Sequence, residues 1–142
     1  KKVPTDVHAL LQDLHRLLQP ELQRRHIQLH WQLTHEHLMV PLDKQQMEQV
    51  LLNVLKNAME AIGADGEINI ATSTTPLQLS ITDSGGGIPE QVQANLFTPF
   101  YTTKANGQGI GLTMVRDILV NHGFGFSLNS DNSHYTTFRI SF

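Results

Sequence analysis

The chain has 142 residues, of which 39% are hydrophobic, and its formal net charge is −3. This length suits one cored domain better than two, so we expect a single domain over residues 1–142. The ten basic residues are scattered, which excludes the electrostatic footprint of a protein that binds duplex nucleic acid or an anionic membrane. Because cysteine is absent, disulfides, thiolate metal sites and thiol nucleophiles are excluded as well. No apolar run has the length of a signal-peptide core or a membrane span.

The first third of the chain predicts one helix followed by two strands. Apolar residues recur at helical spacing over residues 6–25, and Thr5 or Asp6 can cap this helix. Residues 26–34 then alternate between apolar and polar, which is typical of a strand with one buried face. Residues 38–41 predict a second, shorter strand.

A second helix and a hairpin are predicted for the middle of the chain. Asp43 can cap a helix that continues to about Ile62, where Gly63 ends it. Residues 67–74 and 77–83 both alternate in hydrophobicity, and the short segment between them can join them as a hairpin.

The last part of the chain contains a long glycine-rich segment before its final elements. Residues 84–109 are rich in glycine, threonine and proline, with a weak helical turn at 90–95, which predicts a long, mobile loop. A helical pattern over 110–121 precedes two strand patterns at 124–130 and 135–142. Since helices and strands do not alternate strictly, we predict an α+β fold built as a two-layer sandwich. Its mixed, mostly antiparallel sheet would have about five strands, with about three helices on one face.

Three carboxamide side chains lie in register on the second predicted helix. Asn53 and Asn57 are four residues apart and share one face, with Gln49 one turn earlier. Asparagine has a poor helix propensity and is costly to bury without partners, so this pair needs an explanation. One explanation is hydrogen bonding to neighbouring loops. The other is a neutral oxygen ligand for a hydrated Mg²⁺, with the second asparagine or Lys56 touching phosphate oxygens.

Two glycine-rich segments add features of a nucleotide site. Asp83 ends a predicted strand and is followed by glycines at 85–87. Such a carboxylate can accept a hydrogen bond from an exocyclic amine beside a planar ring, although a tight turn has the same pattern. Residues 107–112 open the last helix, whose N-terminal N–H groups can bind a polyphosphate. Their glycine spacing differs from the Rossmann fingerprint, and no P-loop motif is present.

Taken together, these segments resemble the GHKL ATPases and, among them, the sensor histidine kinases. Residues 49–61 are similar to the N box of that family, and residues 83–89 to its G1 box. Residues 96–104, with their Thr-Thr-Lys end, resemble the F box, and residues 107–112 the G2 box. Four motifs in the family's order imply its Bergerat fold and an ATP-binding catalytic domain.

The resemblance also implies roles for individual residues. Asn57 would bind the Mg²⁺ that bridges the phosphates of ATP, with Asn53 and Lys56 assisting. Asp83 would select adenine through its amino group, and residues at about 85–108 would form a lid over the nucleotide. The other implied ATP contacts are Gly85, Gly87, Ile88, Thr102, Thr103, Lys104, Gly107, Gln108, Gly109, Ile110, Gly111 and Leu112.

Two departures from the family pattern bear on the reaction. Topoisomerase-like relatives place a water-activating glutamate four residues before the magnesium asparagine, whereas this chain has Asn53 there. This favours phosphoryl transfer over hydrolysis. Glu60 stands where many relatives carry a basic or small residue, and its role stays open.

The family's phosphate acceptor is a histidine followed by an acid, on a helix of a separate dimerisation domain. In this chain only His35, followed by Glu36, has that acid, and it falls between two predicted strands. The acceptor is therefore expected outside the chain.

The partners follow from the same resemblance. Since the chain opens at Lys1 without a methionine, we expect a fragment that lacks the dimerisation and sensor domains. We expect it to bind ATP and Mg²⁺, to act on a histidine-containing dimerisation domain, and to feed a response regulator receiver domain. The fragment should be a monomeric, cytoplasmic domain of a homodimeric parent, whose anchoring in an inner membrane stays open. A GHKL serine kinase of the anti-sigma type and a nucleotide sensor without transferase activity are the alternatives.

Overall fold

A five-stranded sheet carries helices on one of its faces. The computed structural model describes residues 1–34, 37–85, 109–130 and 135–142. The elements in chain order are β1 (Val3–Asp6), α1 (Val7–Arg24), β2 (Ile27–Gln32), β3 (Met39–Leu42), α2 (Lys44–Ile62), β4 (Gly66–Thr74), β5 (Leu77–Asp83), α3 (Gly109–His122), β6 (Gly125–Ser130) and β7 (Thr136–Ser141). The strand order is β2-β4-β5-β7-β6, with β2 parallel to β4 and the other pairs antiparallel. The predicted α+β fold with a mixed, mostly antiparallel sheet is confirmed.

The hydrophobic core lies between this sheet and the helices. Alternate residues of β4, β5 and β7 are buried, as expected for strands with one covered face. They form one cluster with the apolar stripes of the three helices in the described part of the chain. The most deeply buried members of the cluster include Leu10, Leu11, Met47, Leu51, Ile68, Ile70, Leu79, Ile81, Leu119 and Ile140. Each such side chain contributes roughly 1.5–3 kcal/mol by burial, which holds α2 and α3 against the sheet.

The opposite face of the sheet is polar. Thr82 and Thr137 lie on neighbouring strands, and their hydroxyl oxygens are 2.9 Å apart in a hydrogen bond. Nearby, the Nε of Arg139 donates to the Oγ of Ser80 at 3.3 Å. Polar alternation of this kind predicts a solvated face, so the helix-bearing side is the one that can hold a buried site.

Capping residues set the helix ends where the sequence predicted them. The Asp6 carboxylate accepts from the His8 backbone N–H at 3.0 Å, and Asp43 accepts from the Gln46 N–H at 3.0 Å. Gly63 ends α2 with a φ of 75°, in the left-handed region that favours glycine. None of the helices in the described ranges is both long and apolar enough to span a membrane.

The sequence did not predict β1, which pairs with β3 in a separate two-stranded sheet. Pro4 lies opposite Pro41 in this antiparallel pair, so neither strand carries an N–H at that position. Proline is confined to edge strands for this reason, and it masked the strand pattern at Val3 to Asp6.

Candidate functional site

Two of the three predicted carboxamides on α2 contact each other. The Nδ2 of Asn57 donates a hydrogen bond to the Oδ1 of Asn53 at 3.0 Å, and both side chains are half-buried. Because its Nδ2 is turned towards Asn53, Asn57 directs its Oδ1 away from that neighbour. Lys56 and Gln49 are exposed on the same helix. The pair is therefore a fixed carboxamide group, flanked by a cation that is open to solvent.

Asp83 occupies a core-facing position at the end of β5. Its neighbours across the sheet are Ile68 on β4 and Thr136 on β7, and its side chain is only 7% exposed. Burial raises the pKa of Asp83 to about 6, while the hydrogen bond from the Gly85 backbone N–H opposes that shift. The Gly85 nitrogen lies 2.8 Å from Oδ1. A buried carboxylate with an apolar strand neighbour is poorly explained as a simple turn cap.

Gly85 packs directly on the last turn of α2. A Cβ at this position would lie 2.7 Å from the Cβ of Ala61 and 2.9 Å from its backbone carbonyl carbon. No side chain fits there without displacing backbone, which is a steric reason for glycine after β5. Ala61 is one helical turn beyond Asn57. The carboxamide pair and the buried carboxylate are thereby joined through two small residues, Ala61 and Gly85.

A pair of hydrogen bonds holds the end of β5 against the start of β4. The Ser84 N–H donates to the Glu67 carbonyl oxygen at 3.1 Å, and the Glu67 N–H donates to the Ser84 Oγ at 3.0 Å. Gly66 permits this approach, since a Cβ there would lie 2.8 Å from the Ser84 Oγ. These contacts therefore hold the chain in one direction where it leaves β5 after Asp83.

The start of α3 contributes backbone groups. The helix begins at Gly109, so the predicted residues Gly109, Ile110 and Gly111 lie in its first turn. The N–H groups of a first turn have no acceptor within their own helix and can bind an anion. Leu112, also predicted as a contact, is the fourth residue of this helix and is half-buried.

Several predicted site residues lie outside the described ranges. They are Gly87, Ile88, Thr102, Thr103, Lys104, Gly107 and Gln108, together with the rest of the predicted lid. The weak helical turn at 90–95 and the pair His35 and Glu36 lie outside them too.

Several histidines of the described ranges make structural contacts. His8 Nε2 lies 2.8 Å from the Thr72 Oγ1, and the His15 ring packs edge-on against Trp31 at a centroid distance of 5.5 Å. His37 lies 2.9 Å from an oxygen of Asp6. In this part of the chain no three histidine, aspartate or glutamate side chains group as a metal site. The expectation that the histidines do not form a zinc cluster stays a prediction for the whole chain.

Sequence reasoning did not single out two residues that shape the site. Thr136 lies opposite Asp83 on β7 and is 7% exposed, and Ala61 forms the floor under Gly85. Neither carries a local signal, because each acquires its position through long-range packing. For Thr136, only the register between β5 and β7 would have identified it.

Comparisons with known proteins identify the family of this chain. Residues 42–142 match the family described as "Histidine kinase-, DNA gyrase B-, and HSP90-like ATPase". The sensory histidine kinase/phosphatase NtrB of Rhizobium leguminosarum bv. phaseoli is 34% identical, over 99% of this chain and 41% of that protein. The sensor histidine kinase ZraS of Escherichia coli (strain K12) is 34% identical, over 95% of this chain and 30% of that protein. The chain thus spans less than half the length of these curated relatives.

Solved structures give the same result for the fold. The catalytic domain of histidine kinase ThkA superposes with a TM-score of 0.89 at 28% identity, covering 99% of this chain and 93% of that one. The family match covers most of the chain, including the carboxamide pair, Asp83 and the start of α3. The chain therefore belongs to the histidine kinase-, DNA gyrase B- and HSP90-like ATPase family, as an ATP-binding domain of the sensor histidine kinase type.

Proposed function

We propose that this chain binds Mg²⁺–ATP between α2, the end of β5 and the start of α3, and donates the γ-phosphate to a histidine on a dimerisation domain outside it. A response regulator aspartate would then receive the phosphate. The observation that carries this proposal is the placement of the Asn53–Asn57 pair one helical turn from Ala61, against which Gly85 packs while its N–H holds Asp83.

Base recognition falls to Asp83. Its Oδ1 already accepts from the Gly85 N–H, which holds the carboxylate in one orientation. Its second oxygen is an acceptor for the amino group of adenine, at a site where burial makes an unpaired polar group costly. A base with a carbonyl group in place of that amine would face the carboxylate acceptor to acceptor and be rejected. Absence of a side chain at Gly85 lets the chain after β5 pack against Ala61, and we propose that Ile88 and Gly87 lie beside the ring.

The residues present suit a magnesium triphosphate. Asn57 offers a carboxamide oxygen held in place by Asn53, and neutral oxygens are ligands that a partly hydrated Mg²⁺ accepts. When bound, the metal would neutralise charge that develops on the phosphates during transfer. Lys56 is exposed beside the pair, and the N–H groups at Gly109 to Gly111 would hold phosphate oxygens. Leu112 would pack behind this first turn.

The lid completes the proposed site. Thr102, Thr103 and Lys104 would contact the phosphates, with Lys104 as the charge partner of the γ-phosphate. Gly107 and Gln108 would lead the chain into α3, so that closure brings the lid over the nucleotide. A closed lid would exclude water from the phosphates.

Transfer to a histidine is favoured over hydrolysis by the residue one turn before Asn57. Asn53 is a carboxamide and therefore not a proton acceptor at neutral pH, and its oxygen is occupied by Asn57. A relative supports the onward step: the structure of ThkA in complex with the response regulator protein TrrA matches 98% of this chain at a TM-score of 0.78 and 25% identity. The proposed parent is a homodimer, whereas this chain alone should be monomeric.

A phosphotransfer assay tests the proposal. The chain would be mixed with radiolabelled ATP, Mg²⁺ and the dimerisation domain of its parent, and the product identified by its stability to acid and base. We expect acid-labile, base-stable phosphohistidine on the added domain, lost in Asn57→Ala. Asn69→Ala, on the polar face of β4, is the matched control and should keep the activity. Phosphoserine, or phosphate release without labelled protein, would overturn the proposal.

A further inference from the structure

His122 joins the two helices that carry the proposed phosphate and metal groups. Its Nε2 accepts a hydrogen bond from the Asp43 N–H at 3.0 Å, and its Nδ1 lies 2.8 Å from the Ile118 carbonyl oxygen. A carbonyl oxygen only accepts, so Nδ1 carries the proton and the ring is the neutral Nδ1–H tautomer. The imidazole is 9% exposed and packs on Phe124 at a centroid distance of 5.2 Å. A single buried ring thus links the last turn of α3 to the N-cap of α2.

This link fixes how the two helices lie along each other. The end of α3 meets the start of α2, and the helices pack together, so α3 runs back along α2 in the opposite direction. Gly109 lies 13 residues before His122, and Lys56 lies 13 residues after Asp43. At a rise of about 1.5 Å per residue, both segments are roughly 20 Å long. With the two helices side by side, the first turn of α3 would come level with Lys56 and its neighbour Asn57.

Side-chain packing and hydrogen bonding together hold α3 in place along α2. Val115 and Leu119 bury the apolar stripe of α3, and apolar burial is by itself non-directional. The two hydrogen bonds of His122 are directional and tie the ring to the backbone of both helices. A slide of one residue would move the N–H groups of α3 by about 1.5 Å relative to Asn57.

We infer that His122 is a positioning residue for phosphate binding, which sets the first turn of α3 opposite the carboxamide pair of α2. The inference rests on the proposed function, because it needs the phosphates to lie between these two groups. His122 acts from the far end of both helices and touches no part of the nucleotide. Its loss should weaken the binding of phosphates and leave recognition of the base by Asp83 intact.

The test compares ADP, which carries phosphates, with adenosine, which has none. Dissociation constants would be measured for wild type and His122→Phe, which keeps an aromatic ring against Phe124 and removes both hydrogen bonds. We expect ADP to bind about fivefold to tenfold more weakly, as for a misplaced helix N-terminus, and adenosine to change less than about twofold. His8→Phe is the matched control, since His8 is equally buried but bonds Thr72. It should leave the ratio of the two constants unchanged.

Two outcomes would overturn the inference, and they differ from failure of the proposed function. An unchanged ratio in folded His122→Phe, or an equal change in His8→Phe, would assign His122 to stability alone. If the wild type bound neither ligand, the proposed function would fail first.

A second pair of variants decides the matter if His122→Phe does not fold. Asp43→Pro removes the N–H that His122 accepts, and its φ of −84° is close to that of proline. Asp43→Ala loses the same cap and keeps the N–H. We expect only the proline variant to bind ADP more weakly relative to adenosine. Equal ratios of the two dissociation constants in Asp43→Pro and Asp43→Ala would contradict the inference.

Discussion

Replacing Asp83 with asparagine should stabilise the protein while abolishing nucleotide binding. Burial raises the pKa of Asp83 from 3.8 to about 6. Since one unit of pKa corresponds to about 1.4 kcal/mol, burying the ionised carboxylate lowers the unfolding free energy by up to about 3 kcal/mol at neutral pH. Partial access of solvent and the amide hydrogens that the variant must bury reduce the expected gain to about 1–2 kcal/mol. The asparagine oxygen can still accept from the Gly85 N–H.

The sign of this effect depends on pH. Because the folded-state pKa of Asp83 is raised, its contribution to the unfolding free energy is fully present below 3.8 and is lost as the pH rises through about 6. The unfolding free energy of Asp83→Asn should therefore exceed that of the wild type at pH 8, and this difference should disappear near pH 4. The lowered pKa values of Asp6 and Asp43, both hydrogen-bonded helix caps, act in the opposite direction but equally in both proteins.

Urea denaturation of both proteins at pH 4 and pH 8 would measure the difference. A stability difference that is the same at both pH values would refute the reasoning, because the buried charge would then not be its cause. Nucleotide binding should be lost in the variant at either pH. In one orientation of the asparagine carboxamide, its NH₂ group would face the amino group of the base. In the other orientation, its oxygen would no longer accept the hydrogen bond from the Gly85 N–H. Tight binding of ATP by Asp83→Asn would refute the assigned role of the carboxylate.

Packing, pH and assembly give three further expectations. Gly85→Ala places a Cβ 2.7 Å from that of Ala61 and should lower the unfolding free energy in urea by about 1–3 kcal/mol. Gly125→Ala, whose Cβ would come no closer than 3.5 Å, should change it by less than about 1 kcal/mol, and equal losses would contradict the steric argument. The dissociation constant of an ATP analogue should rise about tenfold per pH unit below the pKa of Asp83, because the ionised carboxylate is the form that binds the base. A dissociation constant that stays the same from pH 4.5 to pH 8 would contradict this role of Asp83. Light scattering should find a monomer, and a stable dimer would count against that.

Local signals in the sequence were enough to predict most elements of the fold. Asp43 and Gly63 predicted both ends of α2, because a capping carboxylate and a left-handed glycine act within a few residues. The bounds of β5 were predicted to the residue, since polarity alternates cleanly up to Asp83. The strand β1 was missed where Pro4 interrupts its pattern, and a pairing partner 37 positions away supplies what the local sequence lacks.

The candidate site was predictable in composition but not in arrangement. Periodicity placed Asn53 and Asn57 on one face of α2, and the structure adds the hydrogen bond between them. That Asp83 is buried opposite Thr136 depends on the pairing of β5 with β7, which no local pattern encodes. The link from His122 to the start of α2 depends likewise on the tertiary packing of two helices.

Calorimetric titration with a non-hydrolysable ATP analogue, with and without Mg²⁺, would be the most direct test of the proposed site. Wild type should bind saturably and more tightly with Mg²⁺, Asp83→Ala should not bind, and Asn57→Ala should lose the dependence on Mg²⁺. Asn69→Ala, the control on the polar face of β4, should behave as wild type. Absence of binding by the folded wild-type chain, or binding that survives Asp83→Ala, would contradict an ATP site built from α2, β5 and α3.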